Sequence, residues 1–196
     1  MSEPLRRIDG DTLVSTATPA MRMQVDAAMP FLGSTEIVIK GIADAERHYF
    51  VEARDGRVRR MLVAQFEGFL SDNAETYVYP LPDPVDMGGE TWGSWVFCYG
   101  LGDDPSPETA DTLRLVEQHG LELDVELIMA RYARILAPEA RHEVLVFYTE
   151  PLRRLGYTLA SVCVDDELRP EHHNLGVELR ARARRSFHVA SDAAGA

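Results

Sequence analysis

The sequence predicts an α+β domain: a curled, barrel-like antiparallel sheet of about seven strands, with a helical hairpin inserted between strands four and five. Three observations predict it. Asp55-Gly56 sits between two alternating runs, which is a strong hairpin signal because a tight I′ turn needs positive φ at both central residues. Ser106 and Pro107 open, and Gly120 closes, a run at helical spacing, as an N-cap, a first-turn proline and a C-terminal glycine do. Val177 to Val189 alternates apolar and polar residues, broken only at Arg185, and a period of two reads as a strand.

The chain has 196 residues, a length suited to one domain. The reading is an N-terminal arm over 1–17, a single α+β domain over 18–190 and a disordered tail over 191–196. A formal net charge of −12 marks an acidic protein and disfavours nonspecific binding to nucleic acid or an anionic membrane. No apolar stretch follows Met1-Ser-Glu-Pro-Leu-Arg-Arg, and no run approaches the roughly 18 residues of a membrane helix. A cytoplasmic location is therefore expected. Cys98 and Cys163 lie in apolar, strand-like runs and read as buried reduced thiols.

Taken in order, Thr12 to Ser15 suggests a short strand in the arm. Thr18-Pro19 can start a helix through Met29, against a competing strand marked by Met21, Met23 and Val25. In the Asp55-Gly56 hairpin a two-residue loop sets Glu52 opposite Arg59, Phe50 opposite Met61 and His48 opposite Val63. That register puts His48, Phe50, Met61, Val63, Gln65 and Glu67 on one face, with Tyr49, Val51, Val58, Leu62, Ala64 and Phe66 on the other. Neither face is purely polar, so the sheet is either covered on both sides or curled around an interior. Thr76 to Tyr79 is a short strand, Pro80 to Gly89 a surface loop able to act as a lid, and Trp92 to Tyr99 an aromatic strand. After the helix at Pro107, a second is expected from Asp124, with Val125, Ile128, Met129, Tyr132, Ile135 and Leu136 as its stripe and Pro138 as its stop. Glu143 to Thr149 and Tyr157 to Val164 are apolar strands, and Val177 to Val189 closes the sheet.

The residues able to carry chemistry follow from that register. His48 and Glu67 share a face beside Gln65, and burial tunes an imidazole and a carboxylate toward neutral pH, where they do acid–base work. The competing reading is a polar stripe on a wet sheet. Trp92, Trp95, Tyr99 and Tyr148, with Phe97, Phe147 and Tyr157, would pack the core or, in a curled sheet, line a ligand pocket. Arg180 and Arg182, with Arg184, form a guanidinium stripe that either grips an anion or pairs with the chain's own acids. His172-His173 lacks metal-ligand spacing. There is no Walker loop, dinucleotide fingerprint or nucleophile elbow, so neither metal nor cofactor is expected.

Three functions follow. The first is a small-molecule-binding domain, its ligand a partly apolar organic molecule in an aromatic-lined pocket. The second is an enzyme using His48 and Glu67 in that pocket. The third is a homodimeric interaction module using the C-terminal strand.

Overall fold

Asp55 and Gly56 both take positive φ, 54° and 74°, and turn the chain between β5 (Ala43–Arg54) and β6 (Arg57–Phe69). The hairpin is the centre of a computed structural model that describes residues 5–102 and 104–191. Before it come β1 (Arg6–Asp9), β2 (Thr12–Ser15), β3 (Met21–Val25) and β4 (Phe31–Ile39). After it come β7 (Val85–Met87), β8 (Glu90–Gly100), helix α1 (Pro107–Gln118), β9 (Glu126–Ile135) and β10 (His142–Pro151). A short helix α2 (Leu159–Val162), strands β11 (Cys163–Val164) and β12 (Glu167–Leu168), helix α3 (His173–Ser186) and β13 (Phe187–Ser191) complete it.

Seven strands form one antiparallel sheet in the order β4-β5-β6-β10-β9-β8-β7, and β1-β2-β3-β13 form a second. The larger sheet is open, with β4 and β7 as edges, so it does not close into the expected barrel. Both of its faces are covered instead. On one, the small sheet and α3 pack against it in a core containing Met23, Val25, Phe50, Leu62, Tyr148, Leu179 and Ala183. On the other, α1 lies over Tyr49, Val51, Met61 and Val63. We call these the closed face and the α1 face.

The hairpin register departs from expectation by one residue. Ala53 pairs with Val58, but Glu52 pairs with Arg60, leaving Arg59 as a bulge. His48 then lies opposite Ala64 and Tyr49 opposite Val63. The cause is Arg60, which donates to Ser186 at 2.8 Å and Asp26 at 2.7 Å and pairs with Glu52. That fork faces the small sheet, so Arg60 turns inward and Arg59 becomes the extra residue. The Arg59 carbonyl accepts from Arg154 Nη1 at 3.0 Å.

Four expected elements are corrected. Residues 21–25 are strand β3 and not a helix from Thr18: Met21, Met23 and Val25 are buried while Arg22 and Gln24 are exposed. The second helix of the expected hairpin is strand β9, which is paired on both edges, with β8 and with β10. A strand covered on both faces reads as a continuous apolar run, and periodicity alone does not separate it from a buried helix. Val177 to Ser186 belongs to helix α3, where Leu175, Leu179 and Ala183 are buried at i, i+4 spacing and Val177 is exposed. The Arg, Ala and Leu content favours that helix, and only Phe187 onward is strand, paired with β3. Tyr157 to Val164 is not one strand: Leu159–Val162 is α2, where the Thr158 N–H donates to Ser161 Oγ at 3.1 Å, and only Cys163–Val164 is strand, β11.

Other expectations are refined. Arg6 to Ser15, read as an arm, is a hairpin hydrogen-bonded into the small sheet. Thr76 to Tyr79 has no regular structure. Pro80 to Gly89 is no free lid: Ser94 donates from its backbone N–H to the Pro82 carbonyl at 2.8 Å, and β7 pairs with β8. Gly93 permits this approach, since a Cβ there would come 2.8 Å from Leu81 Cα. The helix at Pro107 is present with Ser106 as its side-chain cap. Residues 192–196 of the expected tail lie outside the described residues. Among the described residues no helix is long and apolar enough to cross a membrane.

Cys98 and Cys163 are joined in a disulfide with their Cα atoms 6.3 Å apart, which corrects the reading of two free thiols. The bridge ties the C-terminal end of β8 to the start of β11 across 65 residues of chain. Protein purified under oxidising conditions should show no free thiol on titration in denaturant. Reduction should lower its stability to urea by roughly 2–4 kcal/mol, the usual effect of opening such a loop. Two titratable thiols before reduction would contradict the bridge.

Candidate functional site

Helix α1 is an insertion in the β8–β9 hairpin, since Gly100 and Glu126 still pair across it. It runs back over the α1 face toward β4. Its C-terminal half is fastened by apolar packing: Leu115 and Val116 are buried, and a Cβ on Gly33 would come 3.1 Å from Leu115 Cδ1. Its N-terminal half presents Glu108, Thr109 and Thr112, which cannot fill the space above the sheet. A cavity of about 320 Å³ lies there.

Met61, Val63, Met129 and Phe147 give this cavity an apolar floor, with Leu101 and Leu123 at its sides. Arg47, Gln65, Tyr99, Thr112 and Thr149 supply the polar groups. Arg47 is 8% exposed. Its Nη1 donates to the Glu108 carbonyl at 2.9 Å and to Thr112 Oγ1 at 3.2 Å, while Thr112 Oγ1 donates to the same carbonyl at 2.9 Å. The Arg47 Nε is buried and has no hydrogen-bond partner among the described residues. Burial pushes the Tyr99 phenol up to about 12, against the lowering effects of the Thr149 hydroxyl and the Arg47 charge. The phenol is therefore a neutral donor at physiological pH.

A polar cluster adjoins the cavity along the same face. Glu67 and Glu143 are directly opposite on β6 and β10. Gln65 Nε2 donates to Glu67 at 2.7 Å and the Tyr77 hydroxyl donates to it at 2.8 Å. The Tyr79 hydroxyl donates to Glu143. Arg131 lies over the Tyr79 and Trp95 rings, at 5.6 and 5.1 Å. Burial pushes Glu143 up to about 7, with the Glu67 charge adding to the rise and Tyr79 and Arg131 opposing it.

Of the residues singled out by sequence, Gln65, Glu67, Trp95 and Tyr99 share the α1 face: Gln65 and Tyr99 line the cavity, while Glu67 and Trp95 belong to the adjoining polar cluster. The others do not join them. The bulge puts His48 on the closed face, so His48 and Glu67 point to opposite sides of the sheet and the expected acid–base pair does not form. His48 Nε2 meets Glu46 at 2.8 Å, and Glu46 in turn meets Arg6 at 2.6 Å. Burial lowers the His48 pKa, against the raising effect of Glu46. Trp92 is fully buried and donates to the Met87 carbonyl at 3.3 Å. Tyr148 is buried and donates to Glu150 at 2.6 Å. Arg180 pairs with Asp83 at 2.6 Å and Arg182 with Glu150 at 2.8 Å, so both are engaged within the chain.

Sequence reasoning missed Arg47, Thr112, Tyr79, Arg131 and Glu143. A lone arginine in a strand carries no signal until the element that covers it is known. A larger groove of about 750 Å³ lies beside Arg6, Glu46 and Phe66. Its Arg6 is already paired, and its Glu36 and Asp44 are exposed, so it offers a ligand less. Comparison with protein-family models, curated proteins and solved structures found no match to this chain.

The Glu143 carboxyl sets a pH dependence. Its pKa rises on folding, from the ordinary 4.5 to about 7, so the native state holds the proton that the unfolded chain releases. The stability this contributes is complete below pH 4.5 and lost as pH rises through 7. Glu143→Gln should flatten the urea-stability profile between pH 5 and 8 relative to the unaltered protein. Parallel profiles for the two proteins would refute the assignment.

Proposed function

We infer that the protein binds a small, partly apolar organic molecule in the cavity between α1 and the seven-stranded sheet. One observation carries this reading: an apolar floor with a few polar groups around it, beneath a helix too polar there to fill the space. Ligand sites have this composition, and about 320 Å³ falls at the small end of their roughly 300–1,000 Å³ range. The pocket differs in place from the one expected. Its cover is α1 and not Pro80 to Gly89, and its aromatic lining is Tyr99 and Phe147, without Trp92 or Tyr148.

A second reading, an enzyme with Glu67 as an acid–base residue, is favoured by Glu143. A carboxyl near pH 7 beside a second carboxylate can both give and take a proton. Tyr77 and Tyr79 occupy both carboxylates, and Glu143 does not line the cavity, so this reading ranks second. A homodimer through the C-terminal strand ranks third. β13 is a five-residue edge of the small sheet, much shorter than the strand that reading required. The cytoplasmic location also remains a proposal, one that the disulfide weakens because such bridges persist mainly in oxidising compartments.

Thermal-shift titration with neutral medium-chain alcohols, octanol among them, tests the pocket. Binding to the native state alone raises stability by about 2.7 kcal/mol at a hundred times Kd, a readable rise in Tm. Thr109→Trp, which fills the mouth from α1, should abolish the rise while leaving the far-UV spectrum unchanged. No shift with any alcohol, or the same shift in the tryptophan variant, would remove the reading.

A further inference from the structure

We propose that the cavity under α1 is selective for a monocarboxylate, whose anionic head is held by Arg47 while its apolar body lies on Met61, Val63, Met129 and Phe147. The proposal rests on the pocket reading and names the chemistry of its ligand. Arg47 is the one arginine among the buried residues described. Three other partly buried arginines are matched to acids: Arg6 to Glu46, Arg60 to Asp26 and Glu52, and Arg182 to Glu150. Arg131 and Arg169 also have a buried, unpartnered Nε; both Arg131 and Arg47 lie over aromatic rings, Arg47 over Tyr49 at 5.2 Å, but the Arg131 charge acts on Glu143 and neither Arg131 nor Arg169 lines this cavity. Arg47 has no ion-pair partner among the described residues, in a protein of net charge −12.

Both hydrogen bonds of Arg47 leave from Nη1 and go to uncharged oxygens. The one acid on the cavity wall, Glu108, gives Arg47 its backbone carbonyl and not its carboxylate. A buried guanidinium without a counter-charge is costly to the apo protein, and a ligand anion removes that cost on binding. The guanidinium fork suits a planar carboxylate. Tyr99 and Thr149 add neutral polar groups elsewhere on the cavity lining. A phosphate dianion fits worse, because a single arginine neutralises only half of its charge and Glu108 stands on the wall.

Calorimetric titration of the full chain at pH 8 with octanoate, octanamide and octyl phosphate tests this. Octanoate is expected to bind the unaltered protein at least ten-fold more tightly than octanamide. Arg47→Met should erase that difference while keeping octanamide binding within about three-fold. If the variant fails to fold, the acid–amide comparison on the unaltered protein decides alone. Equal affinity for acid and amide would overturn the carboxylate assignment and leave the pocket standing. Tighter binding of octyl phosphate would overturn the choice of anion. If octanol and octanoate both fail to bind, the pocket reading falls and this inference with it.

Discussion

Between Glu52 and Ala53 the pairing of β5 with β6 slips by one residue, leaving Arg59 without a partner opposite. Side chains alternate along a strand, so one unmatched residue exchanges the faces of everything beyond it on that strand. With the bulge, Leu62, Ala64 and Phe66 join Phe50 in the core against the small sheet. Met61 and Val63 join Tyr49 and Val51 under α1. Without it, both groups would mix, and each side of the sheet would bury a polar residue against an apolar layer. Arg60 holds the slip in place through Asp26, Glu52 and Ser186. Burial works against its charge, but the two acids outweigh this and raise its pKa. The same arginine therefore sets the register of the large sheet and fastens the small sheet and α3 to it.

The two faces answer the same problem differently. The closed face is filled by methionine, leucine and aromatic side chains, and its buried charge is compensated. Glu150, 1% exposed, takes a hydrogen bond from Tyr148 and an ion pair from Arg182. A buried carboxylate is tolerated only with such partners. The α1 face carries Arg47, Gln65, Glu67 and Glu143 among apolar residues, and two separate covers share it. The segment bearing Tyr77 and Tyr79 supplies hydroxyls to both carboxylates, and α1 supplies a carbonyl and a hydroxyl to Arg47. Acid and base are thus satisfied from different parts of the chain, with neutral groups, and do not pair with each other.

Local chemistry was legible in the sequence wherever it was strong. The Asp55-Gly56 turn, the Ser106-Pro107 cap and the aromatic strand ending at Tyr99 follow from residue types with steep conformational preferences. Misreadings arose where two periods fit one run. From Val177 to Ala183 every second residue is apolar, yet the apolar residues buried are Leu175, Leu179 and Ala183 at i, i+4 spacing, and helix propensity broke the tie. Over Glu126 to Ile135 a strand hidden on both faces imitates a helical stripe. The bulge at Arg59 was beyond local reading, because its cause lies at Asp26 and Ser186. His48 and Glu67 were consequently paired across a sheet that separates them, whereas Gln65 and Tyr99 were found because their burial does not depend on that pairing.

The cavity itself follows from the composition of α1. An inserted helix closes on a sheet only as far as its apolar stripe extends. Leu115 and Val116 lie in the last turn and a half of α1, and Gly33 lets Leu115 come close to β4. Earlier on the same side stand Glu108, Thr109 and Thr112, short or polar side chains that leave Met61, Val63, Met129 and Phe147 uncovered. Threonine at 112 serves in place of a larger apolar residue because its hydroxyl accepts from Arg47 and donates to the Glu108 carbonyl. A leucine there would fill part of the space but leave the guanidinium with one fewer acceptor, and an unmet buried donor costs more than a methyl group gains. The space above the sheet and the cation on its lining are therefore maintained by the same residue, so the cavity is a consequence of keeping Arg47 buried and not a defect in packing.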